Sequence, residues 1–292
     1  MKIFHIHFMP GGLRLRQLRS RGNMRLRKLL VFLFCSVVVT NYSFAATDDS
    51  CFIFNGGVID KYICSGLRVE IPSQINGQAV VEIGDGAFFN FKLTSIMIPN
   101  TVTTIGASAF SHNSLTSVVI PTSVARIADF AFYSNSLSSV TIPDSVTTIG
   151  KASFSMNQLF SVKISDRVTK IEKDVFRANR LTSVVVPKGV REIGGNAFSY
   201  NRLTRVELAS GVTSIGSGAF SNNELTSVEI PNGVEFIGST AFSFNQLSSV
   251  VIPQSVKWVD TEAFYPNPLE WAKVPSTTSV GYWAFPCVVD RY

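Results

Sequence analysis

The hydrophobic positions of this chain recur at one fixed interval from residue 93 onward. Each 22-residue unit opens on a leucine and repeats the apolar spacing Leu-x-x-Val-x-Ile, followed by Val, Ile, Ala and Phe. The full units begin at Leu93, Leu115, Leu137, Leu159, Leu181, Leu203, Leu225 and Leu247, and Leu269 opens a degraded ninth. An imperfect, longer unit precedes Leu93. A fixed period of this length predicts an array of units stacked along one axis.

Each unit predicts one short strand and a return segment. In the unit that opens at Leu115, Val118 and Ile120 are β-branched and alternate with polar positions, which is typical of a strand. Pro121 ends that strand, because proline has no N–H to donate to a ladder. The stretch from Val124 to Phe132 is too short for an independent helix. The predicted fold class is therefore a repeat solenoid with a parallel β-ladder and turn or short helical return segments.

Stacking brings identical residues of successive units together. One unit cannot bury its own apolar side chains, and each one left in water forfeits roughly 1.5–3 kcal/mol. We therefore expect a continuous aromatic stack of Phe88, Phe110, Phe132, Phe154, Phe176, Phe198, Phe220, Phe242 and Phe264.

An asparagine stands two residues before each leucine. These residues are Asn113, Asn135, Asn157, Asn179, Asn201, Asn223, Asn245 and Asn267. We expect a structural role, because asparagine tolerates left-handed turns and its amide bonds backbone groups of the adjacent unit. A glycine position is looser, since Ala128, Glu172 and Asp260 also occupy it. A strict requirement for positive φ is not expected there.

The unit pattern LTSVxIPxxVxxIGxxAFxxN resembles the BspA-like, or Treponema pallidum-type, leucine-rich-repeat family over roughly residues 67–285. The entry stretch FIFNGGVIDKYICSGLRVEIPSQINGQAVVEIGDGAF also resembles the start of such arrays. The family's usual Asn-Cys before the leucine is replaced here by Asn and a variable residue. The resemblance implies a curved, right-handed solenoid on a secreted or surface-exposed protein that binds host or matrix proteins or neighbouring cells. It carries over no ligand residue.

The first 45 residues have the three parts of a secretory signal. They hold eight Lys or Arg and no Asp or Glu, an apolar stretch at 29–40, and Ser43-Phe44-Ala45 as a small-x-small cleavage site. The apolar stretch is shorter than the roughly 20 residues that span a membrane. We expect a cleaved signal peptide over 1–45, with Met24 as an alternative start, and no transmembrane anchor after its removal. The expected order is then an N-terminal hairpin or cap over 46–66, the repeat array over 67–268, and a degraded repeat with a C-terminal cap over 269–292.

Cysteine and tryptophan mark the two ends of the exported part. Cys51 and Cys64 flank FIFNGGVIDKYI, in which Asn-Gly-Gly predicts a hairpin turn. A disulfide between them is one alternative and would leave Cys287 unpaired; two free thiols are the other. All three tryptophans lie in the last 35 residues. We expect them to cover the last open unit as a cap, with stacking on carbohydrate as the alternative role.

The sequence offers little material for catalysis. His112 is the only histidine after residue 45, no cysteine spacing resembles a zinc site, and no glycine-rich loop follows a strand and opens a helix. The acidic residues are scattered, so that no pair is spaced for acid–base work. We expect no catalytic residue, no cofactor and no metal. His112 itself stands at a variable turn position and is interpreted as a surface residue.

Charge is arranged in blocks along the chain. The formal charge is +6, but removing the eight basic residues of the signal leaves eighteen basic against twenty acidic residues, or −2. Residues 151–205, the basic band, hold eleven basic and four acidic residues, whereas 46–150 hold four and eight and 206–292 hold three and eight. Shared columns predict Lys170–Glu192 and Arg202–Glu224 ion pairs, and place Arg180 above Arg202. The candidate partner-binding residues are Lys163, Arg180, Arg202, Arg205, Glu207 and Glu229.

These features predict an exported protein, secreted, periplasmic or on the cell surface, that binds a macromolecule and catalyses nothing. The expected partner is a protein, such as a host or matrix protein, or an anionic glycan bound through the basic band; no nucleic acid is expected. A structural or self-associating envelope element is the alternative. Rows of Ser and Thr on the predicted strand face do not form the flat alternating lattice of an ice-binding surface.

Overall fold

A computed structural model describes residues 46–292, so the predicted signal peptide lies outside the described part of the chain. Apart from one 3-10 turn at Asp49–Cys51, the regular elements of residues 46–292 are short strands. In chain order they are β1 Phe52–Asn55, β2 Val58–Tyr62, β3 Arg68–Glu70, β4 Gln74–Ile75, β5 Gln78–Ala79, β6 Glu82–Ile83, β7 Ser95–Met97, β8 Thr104–Ile105, β9 Arg126–Ile127, β10 Ser139–Thr141, β11 Thr148–Ile149, β12 Ser161–Lys163, β13 Lys170–Ile171, β14 Ser183–Val185, β15 Glu192–Ile193, β16 Arg205–Glu207, β17 Ser214–Ile215, β18 Phe236–Ile237, β19 Ser249–Val251, β20 Trp258–Val259, β21 Trp271–Val274, β22 Ser279–Val280 and β23 Val289–Arg291.

Each stacked repeat unit is here called a coil. The strands of successive coils form two parallel ladders, which lie on two different faces of the stack. The strand-face ladder is built from the predicted strands in the groups β3–β7, β10–β12, β14–β16 and β19–β21–β23. Ser139, for example, pairs with Ser161 and Val140 with Val162, so that the register between these coils equals the sequence period. The predicted fold class, a parallel β-solenoid, is confirmed.

The return segment takes the form of turns and adds a second ladder that the pattern did not predict. Two-residue strands ending on the isoleucine of the return segment, or on Val259 and Val280 at the same position, form the isoleucine ladder together with β2, in the groups β2–β6–β8–β9–β11 and β13–β15–β17–β18–β20–β22. Turns on either side of it bond from coil to coil as well, as where Phe110 N–H donates to Ala131 C=O at 2.8 Å. The return path therefore satisfies its backbone groups through the neighbouring coils, and needs no helix.

The predicted phenylalanine stack is confirmed. All nine phenylalanines are fully buried, with ring centroids 5.1 Å apart between Phe88 and Phe110 and 5.2 Å apart between Phe242 and Phe264. Tyr62 extends the stack at the N-terminal end at 5.4 Å, and Phe285 extends it at the C-terminal end at 5.2 Å. The core is thus one continuous column of offset-stacked rings, which is a favourable arrangement for aromatic pairs.

The asparagines join each coil to the preceding one. Asn201 accepts a hydrogen bond from Leu181 N–H at 3.0 Å and donates its amide to the carbonyl oxygens of Phe176 and Phe198, both at 3.0 Å. The same bonds recur along the column, as predicted. The left-handed turn, however, belongs to the residue before each asparagine from Asn113 to Asn245, as at His112 (φ 56°), and not to the asparagine itself.

The glycine column serves close approach between coils. No positive φ occurs at Gly106, Gly150 or Gly194, but a Cβ built on Gly150 would lie 2.4 Å from backbone atoms of Ala128 and Asp129. The absence of positive φ agrees with the mixed occupancy of the column, and the close approach of the preceding coil accounts for glycine where it occurs.

The isoleucine ladder is interrupted once, between β11 and β13. The Phe154 and Phe176 rings on either side are 5.9 Å apart, the widest spacing between consecutive phenylalanines of the stack. The buried column that elsewhere holds alanine contains Ser153 and Val175 at this place. Because valine is larger than alanine and branched at Cβ, it holds the two coils further apart.

Different devices close the two ends of the array. At the N-terminal end, β1 pairs with β2 as an antiparallel hairpin closed by a disulfide between Cys51 and Cys64, while Cys287 is a free thiol. At the C-terminal end, β23 pairs with β21. The prediction that the tryptophans cap the last coil is wrong, because Trp258, Trp271 and Trp283 are 43–51% exposed. The two located in strands stand at outward strand positions, so their side chains do not cover the last coil.

Candidate functional site

The strand-face ladder has one outward position that is nearly constant and one that varies from coil to coil. In β10, Val140 is buried while Ser139 and Thr141 are exposed, because successive side chains of a strand alternate between its two faces. The first strand position is serine in coil after coil from Ser95 onward, with Arg205 and Trp271 as the exceptions. The third position varies, and includes Lys163, Glu207 and Glu229.

The strand-face ladder is interrupted at residues 227–229, and a groove opens there. Among the pairings of residues 46–292, none involves 227–229 or the equivalent 117–119. Two adjoining depressions, of about 790 Å³ and about 640 Å³, share Ser227, Val228, Glu229 and Asn232. They are called the strand-face groove here. It runs over several coils on the outward side of the ladder.

Both departures from serine at the first strand position line this groove. Arg205 lies at one end, with Glu207 beside it, and Trp271 lies at the other, with Val251 and Tyr292. Trp271 and Tyr292 are 43% and 46% exposed, so that they present apolar surface to solvent. Between them the wall carries the hydroxyl and amide groups of Ser210, Ser227, Ser249, Gln254 and Ser255. A polar wall with exposed Trp, Tyr and Arg has the composition of a protein recognition surface.

The structure unites three of the six predicted partner-binding residues and separates the other three. Arg205, Glu207 and Glu229 line the strand-face groove together. Lys163 belongs to the same outward position two coils earlier than Glu207, and is not part of the lining. Arg180 and Arg202 occupy equivalent positions just before successive leucines, where each backbone N–H bonds to the leucine carbonyl of the preceding coil. The sequence analysis did not place Tyr292 or Trp271 at the groove, because the unit that contains residues 227–229 keeps the repeat pattern and does not signal the interruption.

Ion pairs involve four of the eleven basic residues of the basic band. Arg205 Nη2 lies 2.6 Å from Glu207 Oε1 on the same strand. Lys170 Nζ lies 3.3 Å from Glu192 in the next coil, as predicted, and 3.5 Å from Glu172. The Glu192 hydrogen bond, with Glu172 nearby, raises the pKa of Lys170 above its ordinary value. These pairs are exposed and contribute little stability.

Seven of the eleven basic residues of the band form none of these pairs: Lys151, Lys163, Arg167, Arg180, Lys188, Arg191 and Arg202. Within the described residues, neither Arg180 nor Arg202 forms an ion pair, and the predicted pairing of Arg202 with Glu224 does not occur. Asp174 approaches Lys173 at 4.0 Å and Arg177 at 3.9 Å. The basic band therefore combines four ion-paired basic residues with seven that form no ion pair within the described residues, and it keeps an excess of positive charge.

The described residues contain no cluster of metal-ligating side chains. No group of three or more His, Cys, Asp or Glu within residues 46–292 is arranged to hold a metal ion. His112 is exposed and packs between the rings of Phe89 and Tyr133, each 5.3 Å away. No helix in this part is long and apolar enough to pass through a bilayer.

The two ladders, the phenylalanine stack and the outward strand face define a parallel β-solenoid of leucine-rich repeats. The profile of the BspA type leucine rich repeat region matches residues 81–204 and 169–287 with six copies. The chain belongs to this family. Proteins of this repeat class generally bind other proteins and are generally not catalysts.

Solved structures share the fold. A leucine-rich repeat protein from Bacteroides ovatus is 24% identical, with a TM-score of 0.55, over 77% of this chain and 54% of that one. The pneumococcal vaccine antigen PcpA is 23% identical, with a TM-score of 0.50, over 77% of this chain and 68% of that one. The chain thus spans about half the length of the Bacteroides protein. A comparison with curated proteins gives no match.

Proposed function

We propose that this protein is exported and binds a protein partner, such as a host or matrix protein, through its strand-face groove, as an adhesion or interaction module. The proposal rests on three features that occur at the same place on the strand face. The strand-face ladder is interrupted at 227–229, a groove opens there, and the two coils in which serine gives way to Arg205 and Trp271 lie at its two ends. The fold does not require arginine or tryptophan at this position, because serine occupies it in the other full units.

Exposed aromatic and charged side chains define how such a partner would be held. Trp271 and Tyr292 offer apolar area at low cost in side-chain entropy, and such residues dominate binding energies at interfaces. Glu207 is paired with Arg205, whereas Glu229 in the middle of the groove forms no ion pair within the described residues and favours a partner with a basic group there. The membership in a family that generally binds proteins supports the same function.

Substitutions at the two ends of the groove test the proposal. Partners are captured from matrix and envelope fractions with the purified protein, then purified and titrated individually. We expect Trp271→Ser and Glu229→Lys each to weaken binding by about tenfold or more. Serine is the native residue of the Trp271 position in neighbouring coils, so this change preserves the fold.

Matched controls come from the same strand face. Thr141→Lys introduces a lysine at the position of Glu229, four coils away, and Phe160→Ser removes an exposed aromatic ring outside the groove. Both should bind with native affinity. If the groove variants bind as tightly as native protein while the controls do not, the partner site lies elsewhere on the strand face.

Export is proposed from the leader at residues 1–45. N-terminal sequencing of protein recovered outside the cytoplasm should give a start near Ala46, because the basic, apolar and small-residue segments follow one another in the order of a cleaved signal. Exported protein that retains residues 1–45 would contradict the cleaved leader.

A further inference from the structure

A group of basic side chains lies on the turn that leads from the strand-face ladder to the isoleucine ladder. Arg167 stands on this turn in one coil, and Lys188 and Arg191 stand on it in the next coil; the three are here called the turn cluster. All three are exposed. The fold does not require them, because serine, threonine or glycine occupies the position of Arg167 in the other full units. The turn cluster is therefore available for binding.

The two turns of the cluster are stacked directly on each other. Arg191 N–H donates to the Thr169 carbonyl oxygen at 2.9 Å. A Cβ built on Gly189 would lie 2.8 Å from the Asp166 carbonyl oxygen. Arg191 Nη1 donates to the Gly211 carbonyl oxygen at 3.2 Å, so that the guanidinium reaches toward the following coil. Because stacked coils are about 4.8 Å apart, the basic groups of the two turns lie close enough to contact one ligand.

The charge of the turn cluster is not neutralised locally. None of its three side chains forms an ion pair within residues 46–292. Asp166 is the one acidic residue among residues 165–169 and 187–191, and the exposed Lys163 at the end of β12 offsets it. Four basic residues and one acidic residue leave a net charge of +3. Like charges on a fixed scaffold repel one another, and an anion bound between them removes that cost.

Acidic residues bound the turn cluster. Asp144 occupies the position of Lys188 two coils earlier. Glu192 follows Arg191 in β15, and Glu207 ends β16 in the following coil. A bilayer or a nucleic acid duplex would cover these carboxylates together with the cluster, and repulsion between like charges disfavours that arrangement. The shape of the basic area therefore favours a narrow anionic chain as the partner.

The side chains around the turn cluster suit a sugar polymer. This side of four successive coils contains no Phe, Tyr, Trp or His, over residues 141–148, 163–170, 185–192 and 207–214. Single-stranded nucleic acids are held by stacking of their bases on aromatic side chains, and that contact is missing from these residues. The turns instead carry exposed hydroxyl groups at Thr147, Thr169 and Ser210, which can donate hydrogen bonds to the oxygen atoms of a sugar and accept them from its hydroxyl groups.

We propose that the turn cluster binds a linear polysaccharide that carries sulfate groups. A sulfate group keeps its negative charge throughout the physiological pH range. Its oxygen atoms match the paired N–H donors of Arg167 and Arg191, in the way that phosphate oxygens do. A chain with closely spaced sulfate groups supplies anionic groups to both turns at once. The turn cluster shares no residue with the strand-face groove, so the inference goes beyond the proposed function.

Titration with a fluorescent heparin octasaccharide tests the inference. At low salt we expect saturable binding by the purified protein. In Arg167→Ser/Lys188→Ser, affinity should fall about tenfold, and the slope of log affinity against log salt concentration should become shallower by about one to two units, because two counterion-displacing contacts are lost. Serine is native at both positions in other coils, as at Ser145 and Ser210, so the double variant should keep the native circular dichroism spectrum.

A charge-matched double variant is the control. Arg180→Ser/Arg202→Ser removes the same number of positive charges from exposed positions that precede the leucines, where Ser114 and Ser136 are native. It should change the affinity less than about twofold at physiological salt, because charges away from the cluster are screened. Trp271→Ser, at the end of the strand-face groove, should leave sugar binding unchanged, so that the two sites are tested independently.

Three results would each overturn the inference. The first is the absence of saturable binding to the sulfated octasaccharide. The second is an equal loss of affinity in both double variants, which would mean attraction by net charge alone. The third is binding of an unsulfated octasaccharide with the same backbone, or of a polyuridylate strand, as tightly as the sulfated sugar.

Discussion

Replacing Phe176 by alanine should lower the free energy of unfolding by about 3–5 kcal/mol, the largest effect expected for a single side chain of this protein. Phe176 is fully buried, and its ring lies between those of Phe154 at 5.9 Å and Phe198 at 5.4 Å. Alanine would leave a cavity in the middle of the stack, and the adjoining coils cannot close it freely, because β12 is paired with β10 of the preceding coil and β13 with β15 of the next one.

Denaturant unfolding measures this effect. Phe160→Ala is the matched control, because it removes the same ring from a position that is 57% exposed, and it should cost under about 0.5 kcal/mol. A loss below 1 kcal/mol or so for Phe176→Ala would mean that the rings do not form a packed stack.

Replacing Asn201 by alanine should cost about 2–4 kcal/mol, which is unusual for an asparagine. Its side chain is the hydrogen-bond partner of Leu181 N–H and of the Phe176 and Phe198 carbonyl oxygens, all of them in the buried interior. Alanine leaves these backbone groups without partners and without access to water, and each such group costs roughly 1–3 kcal/mol.

The same change at an exposed asparagine provides the reference. Asn100 is exposed at the end of the strand segment of its coil, and Asn100→Ala should be close to neutral. Equal stabilities of the two variants, measured by denaturant unfolding, would show that the asparagine column does not hold the coils together.

The sequence predicts the buried columns of this fold well, for a physical reason. Phe176 contacts its equivalent Phe198 in the next coil, and Asn201 bonds backbone groups of the preceding coil, so that one period places every copy of each contact. The isoleucine ladder was not predicted, because two-residue strands are too short to show alternation, and pairing is decided by the neighbouring coil. The pattern around Ile127 therefore predicts burial but not a strand.

Surface features were harder to predict than the core, because they depend on how the side chains of one coil differ from those of its neighbours. The prediction of a tryptophan cap was wrong because aromatic character alone does not distinguish an inward from an outward strand position. Trp258 and Trp271 face outward. The groove at 227–229 was missed because the unit that contains it, LTSVEIPNGV, keeps the repeat pattern. Arg205, Glu207 and Glu229 were nevertheless selected as variable positions on the strand face, and they meet in that groove.

Site-specific photo-crosslinking tests the central claim, that the strand-face groove is the partner site, most directly. A benzophenone side chain is introduced in separate variants at Val251 in the groove, at Thr141 in the same outward position outside it, and at Phe236 on the isoleucine ladder. After irradiation with a purified partner, the account predicts an adduct at Val251 and none at Thr141 or Phe236. Adducts at Thr141 or Phe236, without one at Val251, would contradict it.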